Sequence, residues 1–301
     1  MTIRIGHSPD PDDAFMWYPL ANMPDGSGPG GRTFRPCIDT GPFDFVHVLE
    51  DIQTLNQRSN RGELEVTALS IHQYPFVADR YAMTSCGSSM GDGYGPMVVA
   101  QGDRKLRPSD LGSVKIAVPG EQTSAFLALS LFLGRRVPSY EVVPFDQIMA
   151  AVAGGGCEAG LIIHEGQLTY RDAGLAEVLD LGRWWTETRN LPLPLGGNAI
   201  RRDLGKMMGP LCRVLLQSIE YALDHRDEAV DFAMHYARDM GRDLADRFVG
   251  MYVNRWTLDY GRRGRDAVRG FLKEAVAADL VPDPGVIDFV DPDPAPMPGS
   301  A

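Results

Sequence analysis

Apolar strands that stop in ionisable or hydroxyl-bearing residues, rather than in ordinary turn formers, recur along this 301-residue chain. The clearest is Ala159-Gly160-Leu161-Ile162-Ile163, which runs straight into His164-Glu165. A short, continuous apolar run reads as a strand buried on both faces, as in a parallel sheet. Ligands of such sheets sit beyond the carboxyl ends of the strands, so the exit residues are the ones that can touch them. His7-Ser8-Pro9-Asp10, Ser70-Ile71-His72 and Thr123-Ser124 stand at three further exits. One polar exit is ordinary capping; four describe a cleft that mixes polar and apolar walls.

The alternation of strand and helix over roughly the first 200 residues predicts an α/β protein. Strands are predicted at 2–7, 43–49, 65–70, 97–100, 114–118, 140–145, 159–165, 177–181 and 195–200. Asp12 or Asp13 is a candidate cap for the first helix, Asp51 for a helix over 52–59, and Thr123 or Ser124 for one over 125–133. A helix over 146–153 stops at Gly154-Gly155-Gly156. Beyond residue 200 the pattern is helical, roughly 204–223, 226–238, 244–253 and 265–278. Glycines at 87, 91, 93 and 95 let the chain turn before it enters the strand at Met97. Two lobes follow: 1–96 plus 198–301 as a discontinuous first lobe, and 97–197 as the second. The Gly/Pro-rich segment 22–42 reads as a surface insertion with few core contacts, and the proline-rich stretch 283–300 as an irregular tail.

A net charge of -11 leaves no surplus of Lys and Arg to neutralise phosphates, which disfavours nucleic acid as a partner. No apolar run approaches the roughly 18 residues of a membrane span, and the N-terminus enters a strand at once without a leader-like segment. A cytoplasmic protein with no membrane anchor is expected, and a homodimer is left open. Cys37, Cys86, Cys157 and Cys212 lack zinc or redox spacing, the histidines are scattered, and no G-x-S-x-G elbow occurs, so no metal is expected. His164 is the best candidate for proton transfer, because imidazole exchanges protons near neutral pH. Strand alternation puts Glu165 on the opposite face, a supporting role unless the backbone turns at His164. Trp184-Trp185 reads as core.

Taken together, several strings resemble the 1,4-dihydroxy-6-naphthoate synthase family of the futalosine route to menaquinone. They are Gly160-Leu161-Ile162-Ile163-His164-Glu165, Asp180-Leu181-Gly182 before Trp184-Trp185, and Leu191-Pro192-Leu193-Pro194-Leu195-Gly196. Ser8-Pro9-Asp10-Pro11-Asp12-Asp13-Ala14-Phe15 is similar to that family's Ser-Pro-Cys-Pro-Asn-Asp-Thr-Phe motif, and Asp51-Ile52, Thr54-Leu55-Asn56 and Pro119-Gly120 with Thr123-Ser124-Ala125 also match in order. The resemblance covers about residues 3 to 280. It implies a two-lobed, periplasmic-binding-protein-like fold closing over cyclic dehypoxanthinylfutalosine, a small carboxylated aromatic substrate, with no cofactor. It implies His164 as general base and Asn56, Ser70, Thr123 and Ser124 as substrate-binding residues. Ser8, Asp10, Asp12 and Glu165 are candidates for the cleft or its support. The chain departs from the family motif at Asp10 and Asp12, which stand where Cys and Asn are usual and place carboxylates near an expected anion. Other readings at this point are a soluble binding protein for a small anion, a chorismate dehydratase-like enzyme, and a regulatory protein that retains the fold.

Overall fold

The computed structural model describes residues 1–23, 26–237 and 241–294. Its strands are β1 (Thr2–His7), β2 (Asp44–Leu49), β3 (Val66–Ser70), β4 (Tyr81–Thr84), β5 (Ser89–Gly91), β6 (Met97–Gln101), β7 (Ile116–Val118), β8 (Tyr140–Val142), β9 (Ala159–Ile162), β10 (Leu175–Asp180), β11 (Leu193–Arg201) and β12 (Phe289–Val290). They form two sheets, one in the order β12-β4-β11-β3-β1-β2 with β5 beside β11, the other in the order β10-β6-β9-β7-β8. The second sheet is built from chain that lies between β5 and β11, so the chain leaves the first lobe and returns to it. β1 runs parallel to β2 and β3, and β7 runs parallel to β8 and β9, which sends their carboxyl ends to the space between the sheets.

Local sequence explains the elements that carry the site. In β1, Ile3 and Ile5 are fully buried while Arg4 reaches out to Glu65 at 2.7 Å, the alternation expected of a strand with one solvated face. Asp51 caps the helix Ile52–Ser59 by accepting from the Thr54 amide at 3.1 Å. Thr123 caps Ser124–Leu133 by accepting from the Phe126 amide at 3.2 Å, and Gly134 ends that helix at φ 66°.

Several sequence expectations are corrected. The first helix, Pro11–Trp17, is entered from Asp10, with Asp12 and Asp13 inside its first turn, because Pro11 with its preset φ takes the opening position. The strand predicted over 140–145 stops at Val142, ahead of Pro144, and 145–147 form a 3-10 turn. The glycine-rich segment before Met97 contributes β5 rather than a bare turn. The 22–42 insertion is anchored: Met23 and Phe34 pair through their backbones, and the Phe34 ring meets Phe232 edge-on at 5.0 Å. The tail adds β12, parallel to β4; its residues 295–301, and Arg238 of the helix predicted over 226–238, lie outside the described residues. No disulfide joins the four cysteines, although Cys86 and Cys212 bring their sulfurs within 3.9 Å.

Candidate active site

Between the sheets lies a cavity that opens to solvent. Its walls include Ser8, Asp10, Asp12, Asp13 and Met16 from the end of β1 and the helix after it, and Ser70 from the end of β3. Thr123, Ser124 and Ala125 come from the helix after β7, Ile163 from the end of β9, and Asn198, Phe248 and Tyr252 from later in the chain. Three of the four polar strand exits thus deliver residues to one space, and the fourth reaches it only through Ile163, the apolar residue before His164. Among the described residues no group of three or more His, Cys, Asp and Glu side chains is arranged to hold a metal ion.

Ser8 and the aspartates form one hydrogen-bonded corner. The Ser8 amide donates to Asp13 Oδ2 at 2.7 Å, and the Ser8 hydroxyl donates to Asp10 Oδ2 at 3.0 Å. Burial, then the charges of Asp13 and Asp10, push the Asp12 carboxyl well above the ordinary carboxylate range. Burial also lifts Asp13, to about 6, against the pull of the Ser8 amide. The raised value favours the protonated form, whose O–H donor and carbonyl acceptor resemble the donor–acceptor pair of the asparagine in the similar family motif. The Asp12 departure therefore adds less negative charge to the cavity than its residue type suggests. Behind this corner His7 Nε2 meets His47 Nδ1 at 2.9 Å, and burial lowers both rings, to about 3 and about 4, so that they stay neutral.

Asn56 is completely buried behind the cavity wall instead of lining it. Its Nδ2 donates to the Ser70 hydroxyl at 2.9 Å, and its Oδ1 accepts from the Ser70 amide at 3.0 Å. The same Nδ2 lies 3.2 Å from the Gln122 carbonyl of the second lobe. Asn56 therefore aims Ser70 and ties the lobes together. Ser70, Thr123 and Ser124 do reach the cavity. Ser124 donates to the Leu195 carbonyl, and His72 Nδ1 lies 3.1 Å from the Thr123 carbonyl. The helix Ser124–Leu133 points its positive end at this wall, which suits a carboxylate.

His164 is set just behind Ile163, 4% exposed. The strand ends at Ile162 and Glu165 takes helical backbone angles, φ -52° and ψ -20°, so the carboxylate swings round to the imidazole instead of pointing to the far face. Glu165 Oε2 stands 3.3 Å from His164 Nδ1. In the neutral ring Nδ1 accepts the Gly166 amide at 2.9 Å, and Nε2–H donates to the Phe145 carbonyl at 2.7 Å. Burial pulls this imidazole down, but the hydrogen bond and charge of Glu165, the Phe145 carbonyl and the charge of Asp10 carry it above its ordinary value. Asp10 thus contributes to the basicity of the one cleft histidine with such a shift.

Sequence reasoning took Asp13 only as a candidate helix cap and passed over Asn198 and Tyr252. Asp13 shares the first-helix motif with its neighbours and was readable there. Asn198 follows two glycines in a strand, and Tyr252 ends the helix Arg242–Tyr252, whose apolar pattern signals only packing. Tyr252 crosses the cleft, its hydroxyl donating to Gln167 Oε1 of the second lobe at 2.8 Å.

Comparison with known proteins agrees with this arrangement. A family profile described as menaquinone biosynthesis matches residues 3–277. A 1,4-dihydroxy-6-naphthoate synthase from Thermus thermophilus is 39% identical over 279 residues, spanning 92% of this chain and 95% of the relative. A crystal structure of an Archaeoglobus fulgidus protein superposes with a TM-score of 0.81 at 43% identity, covering 93% of this chain and 98% of that one. The alkanesulfonate-binding protein of Xanthomonas axonopodis has a TM-score of 0.64 at 13% identity, with 95% and 96% of the two chains covered, which shows a shared two-lobed binding-protein fold.

Proposed function

Because this chain belongs to the menaquinone-biosynthesis family and is related over nearly its whole length to a 1,4-dihydroxy-6-naphthoate synthase, we propose that its cavity performs that synthase's reaction. The protein is then a carbon–carbon lyase that converts cyclic dehypoxanthinylfutalosine into 1,4-dihydroxy-6-naphthoate. The observation that carries this reading is one interlobe cavity lined by polar residues from three of the strand exits and by Ile163, the chain neighbour of buried His164. A plain solute-binding role shares the fold, but at 13% identity it shares little else. The proposal extends to a cytoplasmic setting, as the family resemblance implies.

His164 serves as the general base in this reading. To accept a substrate proton Nδ1 gives up its bond from the Gly166 amide, and Glu165, 3.3 Å away, stabilises the imidazolium that results. Removing a proton from a sugar-derived hydroxyl or an activated carbon starts cleavage in the retro-aldol sense, and formation of an aromatic ring draws the reaction forward. The helix-start amides beside Thr123 and Ser124 hold the substrate carboxylate, the two hydroxyls giving their own protons to the Gly120 and Leu195 carbonyls, and Ser70, aimed by Asn56, supplies a further donor. Ser8 organises the aspartate corner. Purified protein incubated with cyclic dehypoxanthinylfutalosine should release the naphthoate, followed by chromatography and absorbance. Substrate consumed without naphthoate, or not consumed at all, overturns the assignment.

A further inference from the structure

The first-lobe wall of the cavity contains a hydrogen-bond acceptor that the protein leaves unused. Asn198 lies on β11 between β3 and β4 and is 2% exposed. Its Nδ2 donates to the Gly87 carbonyl at 2.9 Å, which settles the orientation of the amide. Its Oδ1 is buried and has no hydrogen-bond partner among the described residues. Polar atoms in such positions are normally satisfied, by protein, water or ligand.

The seat around Asn198 is specific. Gly87 has φ 75°, and a Cβ there would stand 2.3 Å from Asn198 Nδ2, so glycine is required for the amide to lie where it does. Thr84 Oγ1 lies 2.9 Å from the Asn198 carbonyl and pins the backbone. Ser8, Asp12 and Asp13 share the cavity with this amide. An unused acceptor beside these groups welcomes a hydroxyl donor, whereas the helix start at Thr123–Ser124 of the second lobe presents amides to a carboxylate.

We propose that Asn198 Oδ1 accepts a hydrogen bond from a hydroxyl of the sugar-derived part of the substrate, which makes Asn198 a specificity-determining residue. The inference rests on the reaction assigned above and adds a direction: hydroxyls lie toward β1 and β11, and the carboxylate lies toward Thr123 and Ser124. A site that has committed a buried acceptor to a hydroxyl discriminates strongly when the pair is broken.

The test compares the parent with Asn198→Leu, of similar size but without an acceptor, and Asn198→Asp, which keeps one. With cyclic dehypoxanthinylfutalosine, the leucine variant should show KM raised roughly tenfold or more with kcat within about threefold, and the aspartate variant should stay nearer the parent. A folded leucine variant with parental KM overturns the proposal. Saturation-transfer NMR with D-ribose, a hydroxyl-bearing probe, decides the matter independently of turnover. Contact is expected in the parent and its loss in Asn198→Leu; no contact in the parent overturns the proposal. Should the leucine variant fail to fold, nitrogen-15 spectra of the parent replace it: ribose must shift the Asn198 side-chain amide, and an unmoved signal refutes the inference. A parent that binds ribose through Asn198 yet releases no naphthoate sinks the reaction assignment alone.

Discussion

Replacing His164 with glutamine separates proton transfer from packing. The ring makes two close backbone contacts, with Phe145 at 2.7 Å and Gly166 at 2.9 Å. A glutamine amide can still donate to the Phe145 carbonyl but loses the Gly166 contact. One lost hydrogen bond costs about 1 kcal/mol, which for a chain of this size lowers the melting temperature by about 2–4 °C. Turnover should fall by about 10²- to 10⁴-fold, the usual contribution of a general base. The pH profile adds a second readout. A base works in its unprotonated form, so kcat/KM rises with pH through the imidazole's pKa. Burial is the largest single effect and lowers that value, but Glu165, the Phe145 carbonyl and Asp10 together outweigh it, so the rising limb lies above the ordinary imidazole value of about 6.5. Glu165→Gln removes the push and should move the limb toward lower pH. Naphthoate release measured across about pH 5 to 9, with thermal melts of each variant, gives both readouts. A folded His164→Gln protein with near-parental turnover removes His164 from the chemistry. A limb that stays put in Glu165→Gln shows that the carboxylate does not tune the ring.

The Asp12 carboxyl has a folded-state pKa raised chiefly by burial, so the native protein keeps a proton that the unfolded chain releases above its own value of about 3.9. Its contribution to stability is therefore lost as pH climbs from that value through the folded one. Asp12→Asn should raise the melting temperature by about 2 °C or more at pH 8 and by less at pH 4; equal gains would contradict the protonated assignment. Thr123→Val removes the helix cap and the hydroxyl beside the carboxylate wall. A loss of about 1 kcal/mol in stability should accompany a KM raised by about tenfold, and an unchanged KM would place the substrate carboxylate elsewhere.

The strand exits were legible because hydrophobic run and polar stop are neighbours in the chain. Ser8, Asp12, Ser70, Thr123 and Ser124 consequently reach the cavity that the pattern implies. What escaped depends on backbone angles or on chain far away. Alternation sent Glu165 to the wrong face because the strand ends one turn early, where helical angles at Glu165 override the two-residue period. Asn56 looked like a wall residue and is a strut behind one, a difference set by how the Ile52–Ser59 helix packs on β3. Asn198 and Tyr252 enter from elements more than a hundred residues beyond Ser8 in the numbering, and no local pattern joins them to it. Phe34 needed Phe232 to show that the insertion is held down.

The two lobes do not meet in the same way all round the cavity. Leu69, Tyr74 and Met83 of the first lobe, Leu129 and Trp185 of the second, and Phe271 of the C-terminal helix Gly261–Ala277 belong to one buried apolar cluster. Parting the sheets there would wet that cluster at about 25 cal/mol for each Å² exposed. Tyr252–Gln167 is one hydrogen bond and Gln53–Gln122 a pair, each bond about 1 kcal/mol net. The apolar seam therefore resists separation more than the hydrogen-bonded rim, and any parting of the sheets would start at the rim. Trp185 and Phe271, which do not line the cavity, thereby bear on how readily the two sheets part.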